Sequence, residues 1–374
     1  MIETEDVSGV KTDTFHLSSV YRTGEISTLN EKKSLHIFFI AGNPGTLHFY
    51  TSFLQKLLVT VQANAYFAKY DRISCHGIGH ANHHLQGSST SLETHVDSCG
   101  SSSYGLEFQI CHKLAFITSV LQSPQHNQEI GRLKDDTEVM LIGHSIGAFM
   151  VIDVLTRSDQ LMRQTRHVLL LMPFISWSHL PFLHRTKLSC FLALHPFSQR
   201  LITSLASPLL RMEPSMRRNI LRRVTGLKGD ALNSVSDGLM NKRLLDNFLT
   251  MGADEIRDVR VHQTRMISLL EELDRGKSCK KKDIFILYTD NDEWAPLKDS
   301  DILRSRLTNN TTIAIEKDLT HTFSLSSERV DRACAIISKF FDVKNFSRIE
   351  QAHTDGNNLF RRKAMSKSFI RSKL

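Results

Sequence analysis

Long apolar runs are absent from this sequence of 374 residues. The longest apolar stretches lie at 35–41, 139–142 and 168–174, and none reaches the roughly 18 residues that a membrane-spanning helix needs. The first residues are acidic and lack the basic-then-apolar pattern of a secretory signal. We therefore expect an intracellular protein that has neither a signal peptide nor a transmembrane helix.

Cysteine is scarce and has no metal-binding pattern. The six cysteines occur at positions 75, 99, 111, 190, 279 and 334, so no two of them form a CxxC pair. This spacing excludes a zinc ribbon or a dithiol redox motif and favours free thiols in a reducing compartment. Residues 76–84 contain four histidines, but no acid or cysteine completes a ligand set with them. The sequence predicts no metal and no other cofactor.

The basic excess of the chain is confined to two segments. The net charge is +8, yet residues 178–228 hold nine Lys or Arg against Glu213 alone, and residues 347–374 hold seven against two acids. Local basic charge suits an anionic partner, either a membrane surface or a nucleic acid. No aromatic residues alternate with the basic residues of the tail, and no nucleic-acid module is recognisable, so we expect no nucleic-acid partner.

Strand and helix patterns alternate over most of the chain. Short apolar segments predict buried strands at 35–41, 139–142, 167–172, 283–289 and 311–316. Segments of helical periodicity lie between them. This alternation predicts an α/β protein with a mostly parallel central sheet flanked by helices. We also expect a strand at 65–70, followed by a long loop at 71–103 that is rich in His, Ser and Gly.

Strand signals disappear between residues 174 and 282, where the sequence is basic, leucine-rich and helical in pattern. We interpret 174–282 as a helical cap inserted before the predicted strand at 283–289, which is expected to bear an acidic residue of the functional site. The α/β core then comprises 35–173 and 283–345. Residues 1–34 form a polar N-terminal segment, and 346–374 form a basic tail that we predict to be disordered. The cap is expected over the carboxyl edge of the sheet, where open α/β sheets bind ligands.

The pentapeptide GHSIG at 143–147 matches the GxSxG nucleophile elbow of the α/β-hydrolase fold. The two glycines remove side chains that would collide in the sharp turn that exposes the serine. The motif directly follows a predicted strand and directly precedes a helical pattern, as the elbow requires. We therefore predict Ser145 as the nucleophile and the backbone amide of Ile146 as one oxyanion donor.

Two further loops are expected to supply partners for Ser145. The GNPG loop at 42–45 follows an early strand, and its proline has no amide hydrogen, so we predict the Asn43 N–H as the second oxyanion donor. The base must be a histidine that follows the cap, and the sequence offers His321 and His353. We favour His321, because it lies between the last predicted strand and the last predicted helix.

Three carboxylates after the strand at 283–289 are candidates for the acidic residue that would orient the catalytic histidine. They are Asp290, Asp292 and Glu293. We favour Asp292, because it stands four residues before Pro296 in a turn of the form D-x-hydrophobic-x-P. The acid would hold the imidazole in the correct tautomer and stabilise its protonated form. These residues predict ester hydrolysis through an acyl-enzyme.

Several motifs resemble the lipid droplet-associated hydrolase family. They are FIAGNPG at 39–45, QICHKLAF at 109–116, LIGHSIG at 141–147, the turn with Asp292, Trp294 and Pro296, and His321 followed by Phe323. The resemblance covers roughly residues 35–341, although Asp290 replaces the usual glycine of the acid turn. It implies an α/β-hydrolase fold, a Ser145–Asp292–His321 triad, a lipid ester such as a sterol ester as substrate, and a location at the cytosolic surface of lipid droplets and endoplasmic reticulum.

The cap sequence interleaves apolar and basic residues, which is typical of segments that lie on a lipid surface. The same apolar residues can instead pack against the sheet and roof the site. We expect the cap and the basic segments to contact a lipid droplet or membrane surface, and we expect no obligate protein partner. If the cap lies on a lipid surface, replacing four of its arginines with Glu should abolish droplet targeting: Arg217, Arg218, Arg222 and Arg223.

Two other functions are compatible with the same residues. A non-catalytic droplet organiser would retain the fold without turnover, and an acyltransferase would use the same triad with an alcohol in place of water. The presence of the serine, the acid and the histidine favours catalysis over the organiser. Hydrolysis of a lipid ester is therefore the leading prediction, although the sequence does not separate hydrolysis from acyl transfer.

Overall fold

The structure is a computed structural model, and it describes eleven segments of the chain. They are residues 2–20, 33–84, 104–123, 137–193, 197–225, 232–233, 235–236, 242–276, 281–290, 292–307 and 310–346. The predicted basic tail beyond residue 346 lies outside these segments, as do His353 and most of the predicted loop at 71–103.

Eight strands form one sheet at the centre of the protein. They are β1 (Ile2–Val7), β2 (Val10–Val20), β3 (Lys33–Ile40), β4 (Tyr70–Ile78), β5 (Thr137–His144), β6 (Thr165–Leu171), β7 (Asp283–Thr289) and β8 (Thr311–Glu316). The order across the sheet is β1-β2-β4-β3-β5-β6-β7-β8. The β1/β2 and β2/β4 pairs are antiparallel, and all the other pairs are parallel. The predicted α/β class with a mostly parallel sheet is confirmed.

Helices connect the parallel strands and cover the sheet. They are α1 (Thr51–Ala63), α2 (Leu106–Gln122), α3 (Ile146–Arg157), α4 (Asp159–Gln164), α5 (Phe182–Ala193), α6 (Phe197–Arg211), α7 (Pro214–Thr225), α8 (Lys242–Arg275), α9 (Leu297–Arg306) and α10 (327–346). The end of α1 is tied to α10, because Asn64 Nδ2 donates a hydrogen bond to Asp342 Oδ1 (2.7 Å). None of the described helices is both long enough and apolar enough to cross a membrane.

The central strands β3, β5, β6 and β7 are buried along almost their whole length. Parallel strands with helices on their faces read as continuous apolar runs rather than as alternating patterns. For this reason the apolar segments of the sequence predicted all four strands to within a few residues.

Strand β4 differs from the sequence prediction at both of its ends. Residues 65–67 form a short 3-10 turn instead of the predicted strand at 65–70. The strand itself occupies Tyr70–Ile78, which takes in the first residues of the predicted loop at 71–103. β4 pairs with β2 on one side and with β3 on the other, so it lies inside the sheet. Both of these sequence predictions are therefore wrong.

Polar side chains explain why β4 was missed. His76 is buried, and its two ring nitrogens bond to His16 Nδ1 on β2 (2.9 Å) and to His36 Nδ1 on β3 (3.1 Å). Cross-strand hydrogen bonds thus satisfy polar groups that would otherwise be costly to bury. The strand does not need the apolar composition on which the prediction relied.

Between β6 and β7, the described segments contain the helices α5 to α8, and we call these the cap helices. They fall within the segment that the sequence predicted to be a helical cap. Helix α8 has 34 residues and contacts α5 and α6 as well as α2 and α3 of the core. It therefore connects the cap helices to the helix that follows Ser145.

Candidate functional site

Ser145 occupies the sharp turn between β5 and α3. Its backbone has φ 54° and ψ −125°, a conformation that residues other than glycine rarely adopt. A Cβ on Gly143 would lie 2.4 Å from the Gly147 carbonyl oxygen, and a Cβ on Gly147 would lie 2.3 Å from the Ile40 carbonyl oxygen. The turn therefore requires glycine at both positions, as the sequence motif predicted.

Ser145, His321 and Asp292 form a hydrogen-bonded chain. Ser145 Oγ lies 2.9 Å from His321 Nε2, and His321 Nδ1 lies 2.7 Å from Asp292 Oδ2. Asp292 Oδ1 accepts hydrogen bonds from the backbone amides of Trp294 (2.8 Å) and Ala295 (3.0 Å). An ionised carboxylate only accepts, so Nδ1 carries the imidazole proton and Nε2 is left to accept the serine hydrogen.

The structure brings one of the three competing carboxylates to His321. Burial alone would raise the pKa of Asp292, but hydrogen bonds from His321 and two backbone amides hold that pKa below its ordinary value. Glu293 is exposed instead, and it pairs with His184 Nδ1 on α5 at 3.3 Å. Asp290 is half-buried directly after β7. Asp292 is therefore the carboxylate that faces the imidazole.

Two residues that the sequence prediction did not include, His144 and Tyr50, form a hydrogen-bonded pair beside His321. The rings of His144 and His321 pack with their centroids 4.9 Å apart. Burial, with a smaller contribution from His321, lowers the pKa of His144 to about 3, and burial raises the pKa of Tyr50. The Tyr50 hydroxyl forms a hydrogen bond with Nδ1 of the neutral His144 ring at 2.8 Å. The available sequence signal was the position of His144 immediately before Ser145.

The two residues predicted as oxyanion donors, Asn43 and Ile146, directly follow Gly42 and Ser145, which approach each other closely. Ile146 is the first residue of α3, and the amides of a first helical turn have no acceptor within the helix. A Cβ on Gly42 would lie 2.9 Å from Ser145 Cβ, so its absence lets residues 42–45, which we call the oxyanion loop, approach the serine. The donor roles of Asn43 and Ile146 stay predictions.

Two buried histidines donate hydrogen bonds to the backbone of the oxyanion loop. His83 Nδ1 donates to the Pro44 carbonyl oxygen at 2.5 Å, and the backbone amide of His80 donates to the Gly45 carbonyl oxygen at 3.0 Å. Burial lowers the pKa of His83 to about 4 and also lowers that of His80, so both rings are neutral. Among the described residues, no group of three His, Cys, Asp or Glu is placed to hold a metal ion.

Helix α8 of the cap reaches the oxyanion loop through Asn43. Asn43 Nδ2 donates to the Phe248 carbonyl oxygen (3.2 Å) and to Glu255 Oε1 (3.3 Å). Burial raises the pKa of Glu255 to about 8, so this carboxyl is mainly protonated at pH 7. Glu255 Oε2 and Asn43 Oδ1 are buried without a hydrogen-bond partner among the described residues. The contact between Asn43 and Glu255 therefore joins the cap to the site, although one oxygen atom of each side chain has no hydrogen-bond partner among the described residues.

Replacing Glu255 with Gln is expected to change how stability depends on pH. The folded-state pKa of about 8 exceeds the ordinary value of 4.5, so the unfolded chain releases its proton first as the pH rises. The buried carboxyl of the wild type therefore contributes its full stabilisation at pH values below 4.5, and this contribution is lost as the pH rises towards 8. The loss is on the order of 4 kcal/mol. Denaturant unfolding should show that the unfolding free energy of the variant, relative to that of the wild type, is higher at pH 8 than at pH 5.

The matched control for this comparison is Glu272→Gln, which makes the same change at an exposed position of α8. Its unfolding free energy should differ from that of the wild type by nearly the same amount at both pH values. A constant difference for Glu255→Gln across the same range would contradict a buried, neutral Glu255.

Known proteins resemble this chain over its core. Residues 33–324 match the model of the family described as lipid-droplet associated hydrolase. The human lipid droplet-associated hydrolase is 31% identical over 157 residues, which cover 41% of this chain and 39% of the human protein. The relative of the same name from Dictyostelium discoideum is 29% identical over 143 residues, covering 37% and 38%. The matched segment thus spans less than half the length of each relative.

Solved structures share the fold at much lower identity. A mutant of the haloalkane dehalogenase DatA from Agrobacterium tumefaciens has a TM-score of 0.58 at 10% identity, over 91% of this chain and 96% of its own. A soluble variant of monoglyceride lipase from Saccharomyces cerevisiae has a TM-score of 0.51 at 11% identity, over 91% and 94%. Such similarity shows the fold alone, and the predicted α/β-hydrolase fold is confirmed.

Proposed function

Because this chain belongs to the lipid-droplet associated hydrolase family, we propose that it is a serine hydrolase that cleaves lipid esters. The observation that carries the proposal is the hydrogen-bonded chain from Ser145 through His321 to Asp292. Acyl transfer to a serine needs a nucleophile, a base within hydrogen-bond reach, and an acid that orients the base. These three side chains have the chemistry and the mutual distances for those roles.

In the proposed acylation step, Ser145 Oγ attacks the ester carbonyl carbon while His321 Nε2 takes the serine proton. Asp292 keeps the Nδ1 hydrogen in place and stabilises the imidazolium that forms. The tetrahedral intermediate then collapses, and the bond between the carbonyl carbon and the alcohol oxygen breaks. His321 returns its proton to the departing alcohol, and the acyl group remains on Ser145.

Water completes the proposed cycle. It attacks the carbonyl carbon of the acyl-enzyme while His321 accepts one of its protons, and the fatty acid leaves as that proton returns to Ser145. Negative charge develops on the carbonyl oxygen in both steps. We propose that the backbone amides of Asn43 and Ile146 donate hydrogen bonds to this oxygen, and that the N-terminus of α3 adds a favourable dipole.

We propose a water-insoluble lipid ester, such as a sterol ester, as the substrate. Two observations support an apolar surface as the place of reaction. The relatives in the human and Dictyostelium discoideum proteomes are named for association with lipid droplets. The cap helices also expose large apolar side chains, as interfacial helices do. They include Phe182, Leu183, Phe197, Leu201, Leu205 and Met216.

The proposed location is the cytosolic surface of lipid droplets and of the endoplasmic reticulum. In this proposal the cap helices lie on the lipid, and neither a nucleic acid nor an obligate protein partner takes part. The apolar side chains of α5 and α6 would enter the surface. An ester that is dilute in water is concentrated at such a surface.

Labelling with a fluorophosphonate probe tests the proposed function. We expect the probe to modify Ser145 of the wild type, and peptide mass spectrometry to locate it there. An emulsion of a sterol oleate should slow the labelling and release oleate. An emulsion of the matching sterol ether should slow the labelling without any release. Folded protein whose Ser145 stays unlabelled would instead support the non-catalytic organiser.

A further inference from the structure

A groove between α6 and α8 lies beside the exposed apolar residues of the cap. Its volume is about 710 Å³. The lining includes three cations, one acid and two hydroxyl groups, which are Arg200, Arg211, Lys242, Asp246, Ser204 and Ser207. The groove therefore offers positive charge and hydroxyl donors together, which is the chemistry that recognises a phosphate.

The positive charge of the groove is in excess. Arg200, Arg211 and Lys242 are exposed, and no ion pair joins them to an acid in the described part of the chain. Asp246 is the acid of the lining, and its Oδ1 already accepts a hydrogen bond from the Thr203 hydroxyl at 2.9 Å. At least two of the three cations thus remain available to an anionic ligand.

Helix α6 presents the apolar stripe and the basic stripe side by side. Phe197, Leu201 and Leu205 recur every four residues, and their exposed fractions are 66%, 50% and 71%. Arg200 and Arg211 lie on the adjacent stripe that faces the groove. A helix of this kind lies in a lipid surface with its apolar side chains among the acyl chains and its cations at the level of the headgroups.

We propose that the groove binds the phosphate of an anionic phospholipid in the surface that the apolar stripe of α6 enters. The inference rests on the proposed function for the presence of a lipid surface. Lys242 precedes Gly252, which lies against Asn43, by ten residues of α8, and this is about 15 Å along the helix. A headgroup held in the groove would thus fix the lipid surface close to the oxyanion loop.

The arginines that the sequence singled out do not form this site. Arg217 is only 9% exposed, and its guanidinium donates to Ser236 Oγ (3.3 Å) and to the Leu210 carbonyl oxygen (3.4 Å). Arg217 is therefore buried within the cap and does not present its charge at the surface. Its hydrogen bonds fix α7 to its neighbours, so replacing it would disturb the packing of the cap as well as its charge.

Sedimentation of the full-length protein with lipid vesicles tests the proposal. We expect the wild type to bind phosphatidylcholine vesicles that contain phosphatidylserine more tightly than pure phosphatidylcholine vesicles. The variant with Arg200→Gln, Arg211→Gln and Lys242→Gln should bind the anionic vesicles on the order of 100-fold more weakly, because each basic residue near such a surface contributes about fivefold. Its binding to pure phosphatidylcholine should be unchanged, since the apolar stripe is intact.

A second triple variant controls for the loss of charge. Arg163→Gln, Lys317→Gln and Lys339→Gln remove three exposed cations that do not line the groove. This variant should keep the wild-type preference for anionic vesicles, and thermal unfolding should show that both variants fold. Equal loss of binding in the two variants would overturn the groove as the site.

Adding inorganic phosphate at constant ionic strength distinguishes a groove that binds a lipid headgroup from one that binds a free anion. If the groove serves a headgroup, phosphate should leave the vesicle binding of the wild type nearly unchanged. Stabilisation of the wild type by phosphate alone, with no difference between the wild type and the groove variant on anionic vesicles, would overturn the proposal in favour of a soluble anion.

Hydrolysis of a soluble short-chain ester separates this inference from the proposed function. The ester requires no surface, so the groove variant should hydrolyse it at the wild-type rate. A wild type that prefers anionic vesicles but hydrolyses no ester would contradict the proposed function and leave the groove supported. A wild type that hydrolyses esters but shows no preference for anionic vesicles would overturn the groove alone.

Discussion

Replacing Ser145 with Ala is expected to lower the kcat of ester hydrolysis by on the order of 10⁵-fold. The substitution removes the oxygen that forms the acyl-enzyme, while the amides of Asn43 and Ile146 stay in place. Any residual rate would come from substrate binding and from those amides acting on direct attack by water. Fatty acid release from a lipid emulsion, measured on protein whose thermal unfolding matches that of the wild type, gives the ratio.

Ser176 provides a matched control, because it also bonds to a histidine that bonds to an aspartate. Ser176 Oγ lies 3.0 Å from His179 Nδ1, and Asp299 Oδ1 contacts the same ring nitrogen. A proton relay needs the acid and the serine on opposite ring nitrogens, as they are around His321. Ser176→Ala should therefore keep wild-type turnover. Loss of turnover in this variant, with Ser145→Ala active, would contradict the assignment of the nucleophile.

The sharp turn at Ser145 was predictable from sequence because its geometry is imposed locally. The turn at Ser145 requires two glycines within five residues, between an apolar strand and a helix. The glycines, the apolar strand and the helical pattern are all recognisable in the sequence. The central parallel strands were predictable for a related reason, since burial on both faces makes them continuously apolar. Strand β4 was not, because His76 is satisfied by histidines that lie 60 and 40 residues away.

Contacts between residues that lie far apart in the sequence leave no local signal. Asn43 and Glu255 are 212 residues apart, and Tyr50 and His144 are 94 residues apart. Their pairing depends on how α8 and α1 pack against the loops around Ser145. A buried glutamate with a raised pKa therefore appears in the sequence as an ordinary polar residue of an amphipathic helix.

The basic groove shows the same limit for surface charge. Four arginines between residues 217 and 223 are close in sequence, yet Arg217 is buried and hydrogen-bonded. Arg200 and Lys242 are 42 residues apart in the numbering but line one groove, because α6 and α8 lie against each other. Proximity along the chain therefore does not by itself identify the basic residues that share a surface.

Asp292→Asn is expected to lower kcat by on the order of 10⁴-fold, whereas Asp290→Asn should leave it close to the wild-type value. The backbone amides of Trp294 and Ala295 would still donate hydrogen bonds to the single oxygen of the new side-chain amide. The amide nitrogen would then face His321 Nδ1 and favour the tautomer with its hydrogen on Nε2. That nitrogen could no longer accept the proton of Ser145.

The double variant Asp290→Asn with Asp292→Asn decides whether the neighbouring carboxylate can substitute for the acid. If Asp290 takes no part, the double variant should hydrolyse ester at the rate of Asp292→Asn alone, and fluorophosphonate labelling of Ser145 should slow equally in both. A lower rate in the double variant would mean that Asp290 partly replaces the lost acid. Full activity of Asp292→Asn, with loss in Asp290→Asn, would transfer the role to Asp290 and contradict the 2.7 Å contact as the catalytic one.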